Sequence, residues 1–289
     1  MYKLIAIDLD GTLFNSYGEV SNENKEAIKY AMEKGTEVVL ASGREPQSIK
    51  KTSLSLGIKN YLIAGNGANV YSIKNDKNIY ESYIDKEKAL EVISKCIENS
   101  MFVNVYTNRG IIAEKLEYNV KVFNSENNYK SSEKRTNIEI VSNLYKYIEE
   151  HDLNILKIII CDNDKIIFSN IVNKMREISG IDVLDVEHMS KKKIRIGTED
   201  ANVEYFYTEI TNKNTDKWNA IEFLIKKLSI DKEEVICIGD NINDKRMIEN
   251  AGVGINMKNS ALASMNIGNY TTGDNNSSGV AMAIYKYIK

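Results

Sequence analysis

The amino-acid sequence predicts an α/β protein with a Rossmann-like parallel-sheet core and a second, α+β domain inserted into it. In the first and last thirds of the chain, short apolar runs alternate with segments whose apolar residues recur at helical spacing. This alternation predicts parallel strands joined by right-handed crossovers. The middle third follows a different order. We therefore expect residues 1–83 and 210–289 to form the core and residues 84–209 to form the inserted domain.

The first third is expected to supply three strands and two helices. Leu4 to Ile7 is an apolar run of the kind that forms a strand covered on both faces. Ser21 is a candidate N-cap for a helix that ends at Gly35. A second helix is expected from about Gln47 to Gly57, and the remaining strands are predicted over residues 37–41 and 61–64.

The inserted domain is predicted to mix helices and strands. Helices are expected over residues 86–99, 137–149 and 170–179. Strands are expected over residues 103–106, 111–114, 156–161, 194–196 and 203–207. This order differs from a regular strand–helix repeat, which is why the segment is interpreted as a separate α+β unit.

The last third returns to the strand–helix pattern. Asp216 is expected to cap a helix that runs to Leu228. The strand at residues 235–238 ends at Gly239, and a short helix follows that stops near Gly252. One more strand is predicted at residues 253–255, so both ends of the chain contribute to one sheet.

Composition and charge exclude several classes of function. The chain has 289 residues, a formal net charge of −3 and no basic surplus, so no nucleic-acid partner is expected. The run of lysines at residues 191–193 is interpreted as a solvated strand edge. No apolar stretch is long enough to span a bilayer, so no membrane partner is expected, and no obligate protein partner is predicted.

The cysteines and histidines bear on compartment and metal chemistry. Three cysteines lie far apart without CxxC spacing, so we expect neither a disulfide framework nor a thiolate zinc site. Two histidines in the whole chain are too few to replace such ligands. The N-terminal segment reaches Asp8 too early for a signal peptide, so a cytoplasmic, reducing location is expected.

Paired carboxylates follow the first predicted strand. Asp8 and Asp10 are two residues apart in an extended segment, so both side chains point to the same side. Ligands bind at the carboxyl ends of parallel strands, and Gly11 lets the chain turn away from that edge. A simple Asp–Gly turn is the alternative, but two neighbouring carboxylates repel each other without a cation.

The segment after the strand at residues 235–238 supplies further oxygen ligands. Asp240 and Asp244 are carboxylates, and Asn243 offers an amide that can donate to phosphate. A set of oxygen ligands without sulfur or imidazole favours Mg²⁺. Ser42 follows another strand with an exposed backbone, and Lys217 begins a helix where it can neutralise phosphate.

These motifs, in this order, resemble the haloacid dehalogenase-like superfamily, and in particular the Cof-type phosphatases with a large inserted α/β cap. The resemblance rests on DLDGTLFNS, ASGR, DKWNAI and GDNINDKRMIENAG, and it covers both halves of the core. It implies a Mg²⁺-dependent phosphatase that acts on a small phosphorylated metabolite, such as a sugar phosphate or a phosphorylated cofactor. Two alternatives stay open: phosphoryl transfer of the mutase type, and a non-catalytic metabolite sensor.

The resemblance also implies roles for individual residues. Asp8 is the expected nucleophile, and Asp10 the expected acid and base. The expected metal ligands are Asp8, the backbone carbonyl of Asp10, and Asp240, with Asp244 behind them. The residues expected to contact phosphate or substrate are Ser42, Gly43, Arg44, Asn66, Lys217 and Asn243.

The chain departs from the family pattern at several positions. Trp218 stands where glycine usually follows the motif lysine, and we expect it to narrow or reshape the cleft. Asn212 and Asn214 stand where the family favours proline and glycine. The stretch from Asp182 to Ala201 is longer than usual, which is expected to alter how the cap closes.

Overall fold

The computed structural model describes residues 2–130, 135–184, 189–196, 199–260 and 267–289. The chain divides into two compact units. The first comprises Met1–Ser82 and Thr215–Lys289, and the second comprises Tyr83–Asn214. The second unit was predicted from the sequence over residues 84–209. Its end lies five residues later, because the strand that begins at Glu199 continues to Asn212 and belongs to this unit throughout.

The secondary structure of the described residues is as follows. The helices are α1 (Asn22–Glu33), α2 (Pro46–Ser55), α3 (Lys86–Glu98), α4 (Tyr118–Asn127), α5 (Leu144–Glu150), α6 (Lys165–Arg176), α7 (Lys217–Leu228), α8 (Lys245–Asn250) and α9 (Gly279–Tyr287). The strands are β1 (Leu4–Ile7), β2 (Glu37–Ala41), β3 (Tyr61–Ala64), β4 (Asn69–Ser72), β5 (Lys77–Glu81), β6 (Phe102–Thr107), β7 (Gly110–Ala113), β8 (Ile138–Ile140), β9 (Ile155–Asp162), β10 (Ile181–Val183), β11 (Ser190–Ile196), β12 (Glu199–Asn212), β13 (Val235–Gly239), β14 (Val253–Asn256) and β15 (Tyr270–Thr271).

The first unit is built on one eight-stranded sheet in the order β15-β14-β13-β1-β2-β3-β4-β5. Neighbours from β15 to β3 are parallel, which confirms the predicted α/β class with a parallel sheet. Strand β4 and the edge strand β5 add two antiparallel pairings that were not predicted from the sequence. They form a hairpin that continues the chain directly from β3.

Both faces of this sheet are covered, as the continuous apolar runs require. Ile5 and Ile7 of β1 face a cluster that includes Ile28 of α1 and residues of α9. Leu4 and Ala6 face the opposite cluster, which includes residues of α7 and α8. The sheet therefore lies at the centre of the first unit, with its central strands completely buried.

The second unit contains a seven-stranded sheet in the order β10-β12-β9-β6-β7-β8, with β11 paired to β12. Its neighbours are antiparallel except for β7 and β8. Helices α3, α5 and α6 contribute to a cluster with Ile158 and Ile160 of β9. This arrangement is the α+β unit that the sequence predicted.

Several predictions for the second unit differ from the structure in their bounds. The helix expected over residues 170–179 is α6, which begins at Lys165 and ends at Arg176. The helix expected over residues 137–149 begins at Leu144, because the Asn143 side chain caps it by accepting from the Lys146 amide. The preceding residues form β8. Helix α4 was not predicted at all. The long stretch from Asp182 to Ala201 contains β11, and residues 185–188 and 197–198 lie outside the described residues.

Within the residues that the structure describes, no helix is both long and apolar enough to cross a membrane.

Candidate active site

Three of the predicted motifs meet at the carboxyl ends of neighbouring parallel strands. Strand β1 leads into Asp8, β2 leads into Ser42, and β13 leads into Asp240. The strands lie side by side in the order β13-β1-β2, so their ends share one edge of the sheet. This edge is where ligands bind in parallel α/β sheets.

Lys217 lies at the centre of the site. It is the first residue of α7 and is fully buried. Its ammonium group donates to Oδ1 of Asp8 and to Oδ1 of Asp244, with both Nζ–O distances at 2.6 Å. The third motif is thereby joined to the first and to the fourth. A buried ammonium is stable only where carboxylates surround it, as they do here.

Asp244 is held on both of its oxygens. Oδ1 accepts from Lys217, and Oδ2 accepts from the backbone N–H groups of Asp240 and Asn241 at 3.0 Å each. The side chain is fully buried. Asp244 thus fixes both the lysine and the turn that presents Asp240.

The carboxylate of Asp240 is oriented by the first motif. Thr12 donates its hydroxyl to Oδ1 at 2.7 Å. Gly11 has a φ of 88°, and a Cβ atom there would lie 2.4 Å from Oδ2 of Asp240. Glycine is therefore required by both the backbone conformation and the close approach. Ser260 adds a hydrogen bond from its hydroxyl to the Asp240 carbonyl at 2.6 Å.

Asp10 forms an ion pair with Arg44 and is not part of the cluster formed by the other carboxylates. The guanidinium group donates from Nε to Oδ2 at 2.8 Å and from Nη2 to Oδ1 at 2.5 Å. Both side chains are about half exposed. This bidentate geometry fixes the plane of the Asp10 carboxylate. Arg44 was expected to bind phosphate, and its pairing with Asp10 was not predicted.

The remaining predicted residues form a polar group beside Ser42. Asn66 has a φ of 54°, and its Oδ1 accepts from Nδ2 of Asn243 at 3.0 Å. A Cβ atom at Gly43 would lie 2.9 Å from the same Oδ1, so the small residue lets the amide approach. Ser42 is buried, and its Oγ accepts from the Arg44 amide at 3.3 Å.

Burial and neighbouring charges shift the pKa values of the acidic and basic groups in the site. Burial, followed by the negative charge of Asp244, raises the pKa of Asp8 to about 8. Burial also raises the pKa of Asp240 to about 6, against a hydrogen bond from Thr12 that favours the charged form. Burial opposes the charged ammonium of Lys217, but the charges of Asp244 and Asp8 outweigh it and raise the pKa of the lysine.

The donor set suits a hard divalent cation. Within the described part of the chain, Asp8, Asp240 and Asp244 each offer an oxygen, and these atoms lie within 4.8 Å of one another. When ionised, the three carboxylates carry three negative charges against the single positive charge of Lys217. A divalent cation balances that excess, and oxygen ligands without sulfur or imidazole are those that Mg²⁺ accepts.

Trp218 does not take the position expected from the sequence. The indole is 3% exposed and packs in the cluster that covers one face of the sheet, with Leu4, Ala6 and Val39. It points into the core because the residue after Lys217 lies about 100° further round the helix. The expectation that Trp218 narrows the cleft was therefore wrong.

Sequence reasoning also missed the residues that brace the motif loops. Thr12 and Ser260 hold Asp240, and Asn259 donates its amide to the Gly11 carbonyl at 2.8 Å. Thr12 could have been found from its place beside Gly11 in the first motif. Nothing in the local sequence pointed to residues 259 and 260, which reach the site only through the fold.

The fold and this set of side chains define a hydrolase of the haloacid dehalogenase-like class. The family model for haloacid dehalogenase-like hydrolases matches residues 5–284, and the chain belongs to that family. Phosphatase YwpJ of Bacillus subtilis (strain 168) is 30% identical to this chain, over 96% of the chain and 97% of the relative.

Solved structures agree with this assignment. A haloacid dehalogenase-like hydrolase from Bacteroides thetaiotaomicron is 26% identical and superposes with a TM-score of 0.77, covering 99% of each chain. A haloacid dehalogenase-like hydrolase from B. subtilis is 25% identical, with a TM-score of 0.78 over 99% of this chain and 100% of the other. The similarity therefore extends over both units of the chain.

Proposed function

We propose that this chain is a Mg²⁺-dependent phosphatase that hydrolyses a small phosphorylated metabolite, a sugar phosphate or a phosphorylated cofactor, through a phosphorylated aspartate. One observation carries the proposal. Asp8 is buried at the end of the central strand β1, and its carboxylate is held at 2.6 Å by the ammonium of Lys217. The 30% identity to a relative named as a phosphatase supports the same reaction class.

In the first half-reaction, a carboxylate oxygen of Asp8 attacks phosphorus and the ester P–O bond breaks. The leaving oxygen takes a proton from Asp10. Splitting the displacement into two steps in this way replaces one difficult transfer with two easier ones. Lys217 offsets charge on Asp8 and the transferring group, with Ser42 and Asn243 as further donors to the phosphoryl oxygens.

In the second half-reaction, Asp10 removes a proton from water, which attacks phosphorus and releases Asp8 and inorganic phosphate. Arg44 donates to both oxygens of the Asp10 carboxylate, which orients it and favours its ionised form, the form that accepts a proton from water in this step. Asp10 thereby regains the proton that it gave to the leaving oxygen and is ready for the next turnover. We assign Arg44 to orienting Asp10.

The ligands proposed for Mg²⁺ are the carboxylates of Asp8 and Asp240 and the backbone carbonyl of Asp10, with Asp244 behind them. When bound, the cation neutralises negative charge where an anionic nucleophile meets an anionic phosphate. Thr12 and Gly11 keep the Asp240 carboxylate in one orientation for this purpose.

Because Cys96, Cys161 and Cys237 are buried free thiols, we propose a reducing cytoplasmic location.

The test is inorganic phosphate release from a panel of small phosphomonoesters, with Mg²⁺ and with EDTA, for the wild type, Asp8→Asn and Asp10→Asn. We expect release that requires both the metal and Asp8. Asp10→Asn should slow turnover most on esters with poor leaving groups, since those need a proton on the departing oxygen.

Activity of Asp8→Asn equal to that of the wild type would exclude the covalent mechanism. Absence of release from every ester by the wild type, together with Mg²⁺ binding measured by calorimetry, would favour a transferase or a binding protein instead. The best ester in the panel identifies the chemical class of the substrate.

A further inference from the structure

Arg246 lies two residues after Asp244, near the start of α8, and it reaches across to the start of α7. Its Nη1 atom donates to Oδ2 of Asp216, the residue immediately before Lys217. Arg246 belongs to none of the residues with an expected role in the reaction. The ion pair nevertheless joins the segments that carry the third and fourth motifs.

Asp216 is fixed from three sides. Its Oδ1 accepts from the Asn219 amide at 2.9 Å, which caps α7. Its carbonyl oxygen lies against Gly67, where a Cβ atom would come within 2.0 Å of it. The remaining carboxylate oxygen is the one that Arg246 contacts. The position of the first residue of α7 therefore depends on Arg246 as well as on the Gly67 loop.

Two side-chain contacts connect the segments at the starts of α7 and α8. One is the buried contact of 2.6 Å between Lys217 and Asp244, and the other is the ion pair between Asp216 and Arg246. Asp216 and Lys217 are neighbours in sequence, and their partners Arg246 and Asp244 are two residues apart. Together with the intervening backbone they close a ring. A ring of this kind restrains rotation of the helix start, which a single contact cannot do.

We infer that Arg246 is a positioning residue that acts through Asp216 to keep the Lys217 ammonium between Asp8 and Asp244. This inference rests on the proposed phosphatase function. An ion pair with side chains 49% and 22% exposed contributes little to stability, so its effect is expected in the geometry of the site rather than in folding. Small displacements of a charged group at a reacting centre lower the rate strongly.

The test compares Arg246→Gln, Arg246→Lys, Asp216→Asn and the double variant Arg246→Gln/Asp216→Asn. Asparagine caps a helix as well as aspartate does, so Asp216→Asn removes the ion pair and keeps the cap. Lys245→Gln is the matched control, because Lys245 is the neighbouring residue, its side chain is 44% exposed, and its ion pair with Glu249 on the same helix is long, at 3.9 Å.

Each variant is measured by phosphate release and by acrylamide quenching of Trp218. Trp218 is the only tryptophan of the chain and directly follows Lys217, so its quenching reports on the start of α7. We expect Arg246→Gln to lower kcat about tenfold with KM unchanged, and to make Trp218 easier to quench. Asp216→Asn should match it, the double variant should lose no more than either, and Arg246→Lys should recover part of kcat.

Equal kcat and equal quenching for Arg246→Gln and Lys245→Gln would overturn the inference. Additive losses in the double variant would also overturn it, because the two residues would then act independently. Failure of the proposed function gives a different result: the wild type itself releases no phosphate, and the quenching comparison alone then decides whether Arg246 holds the start of α7.

Discussion

Replacing Asp8 with asparagine is expected to change how the stability of the metal-free protein depends on pH. The carboxyl group of Asp8 is buried beside Asp244, and its pKa is raised from 3.8 to about 8. Between these values the folded protein keeps a proton that the unfolded chain releases. The stabilisation by protonated Asp8 is complete below pH 3.8 and is lost as the pH rises towards 8.

The size of the expected change follows from how steeply the free energy of unfolding depends on pH. A difference of one bound proton between the folded and unfolded states changes the free energy of unfolding by about 1.4 kcal/mol per pH unit. As the pH rises from about 5.5 to about 7.5, ionisation of Asp8 should therefore lower the free energy of unfolding of the metal-free wild type by about 3 kcal/mol. Asparagine does not titrate, so Asp8→Asn should lack this part of the pH dependence.

The assay is urea unfolding in EDTA at both pH values, followed by the fluorescence of Trp218, which lies in the same unit as Asp8. Glu26→Gln is the matched control, since it makes the same carboxylate-to-amide change at an exposed position on α1. We expect the free energy of unfolding of the control to change with pH as it does in the wild type. For Asp8→Asn, the decrease between the two pH values should be smaller by about 3 kcal/mol. Parallel pH profiles for wild type and Asp8→Asn would refute the reasoning.

Three other substitutions test single contacts of the site. Lys217→Met should abolish phosphate release and lower the free energy of unfolding by about 3–5 kcal/mol, because Asp8 and Asp244 lose their shared cation; unchanged urea unfolding would contradict this. Trp218→Ala should cost about 3–5 kcal/mol in thermal unfolding but leave KM unchanged, since the indole packs in the core; a changed KM would restore a role in the cleft. Gly11→Ala should weaken Mg²⁺ binding in calorimetry, because a Cβ atom meets the Asp240 carboxylate.

Much of the first unit could be predicted because its signals are local. A buried parallel strand is an uninterrupted apolar run, and β1, β2, β3 and β13 all have this pattern. Polar residues directly after such strands must lie at the same sheet edge. The sequence alone therefore indicates that Asp8, Ser42 and Asp240 lie close together.

The second unit was harder to predict because its signals are weaker. Helix α4 begins after Glu117, whose side chain makes no capping hydrogen bond, and its sequence is rich in asparagine. Strand β8 is partly exposed, and its three residues are too few for an apolar run or an alternating pattern to identify a strand. Tertiary pairing with β7 stabilises β8, and local sequence does not report such pairing.

Contacts between distant side chains were also beyond the sequence. Lys217 and Asp8 are 209 residues apart, and the sequence does not specify that the ammonium would contact Asp244 as well. The pairing of Arg44 with Asp10 depends on a side-chain rotation, and the packing of Trp218 depends on which way the first turn of α7 faces the sheet. Each of these details is set by the assembled fold.

The buried contacts of Lys217 with Asp8 and Asp244 are not the arrangement expected if the site served stability alone. A buried cation and carboxylates lose hydration that their mutual attraction offsets only with good geometry, and apolar side chains of similar size often serve stability as well or better. Here the carboxylates outnumber the cation, and burial raises the pKa values of Asp8 and Asp240. Such a centre gains stability when further positive charge arrives. We therefore interpret the unbalanced carboxylates as a site arranged for a divalent cation rather than as a structural ion pair.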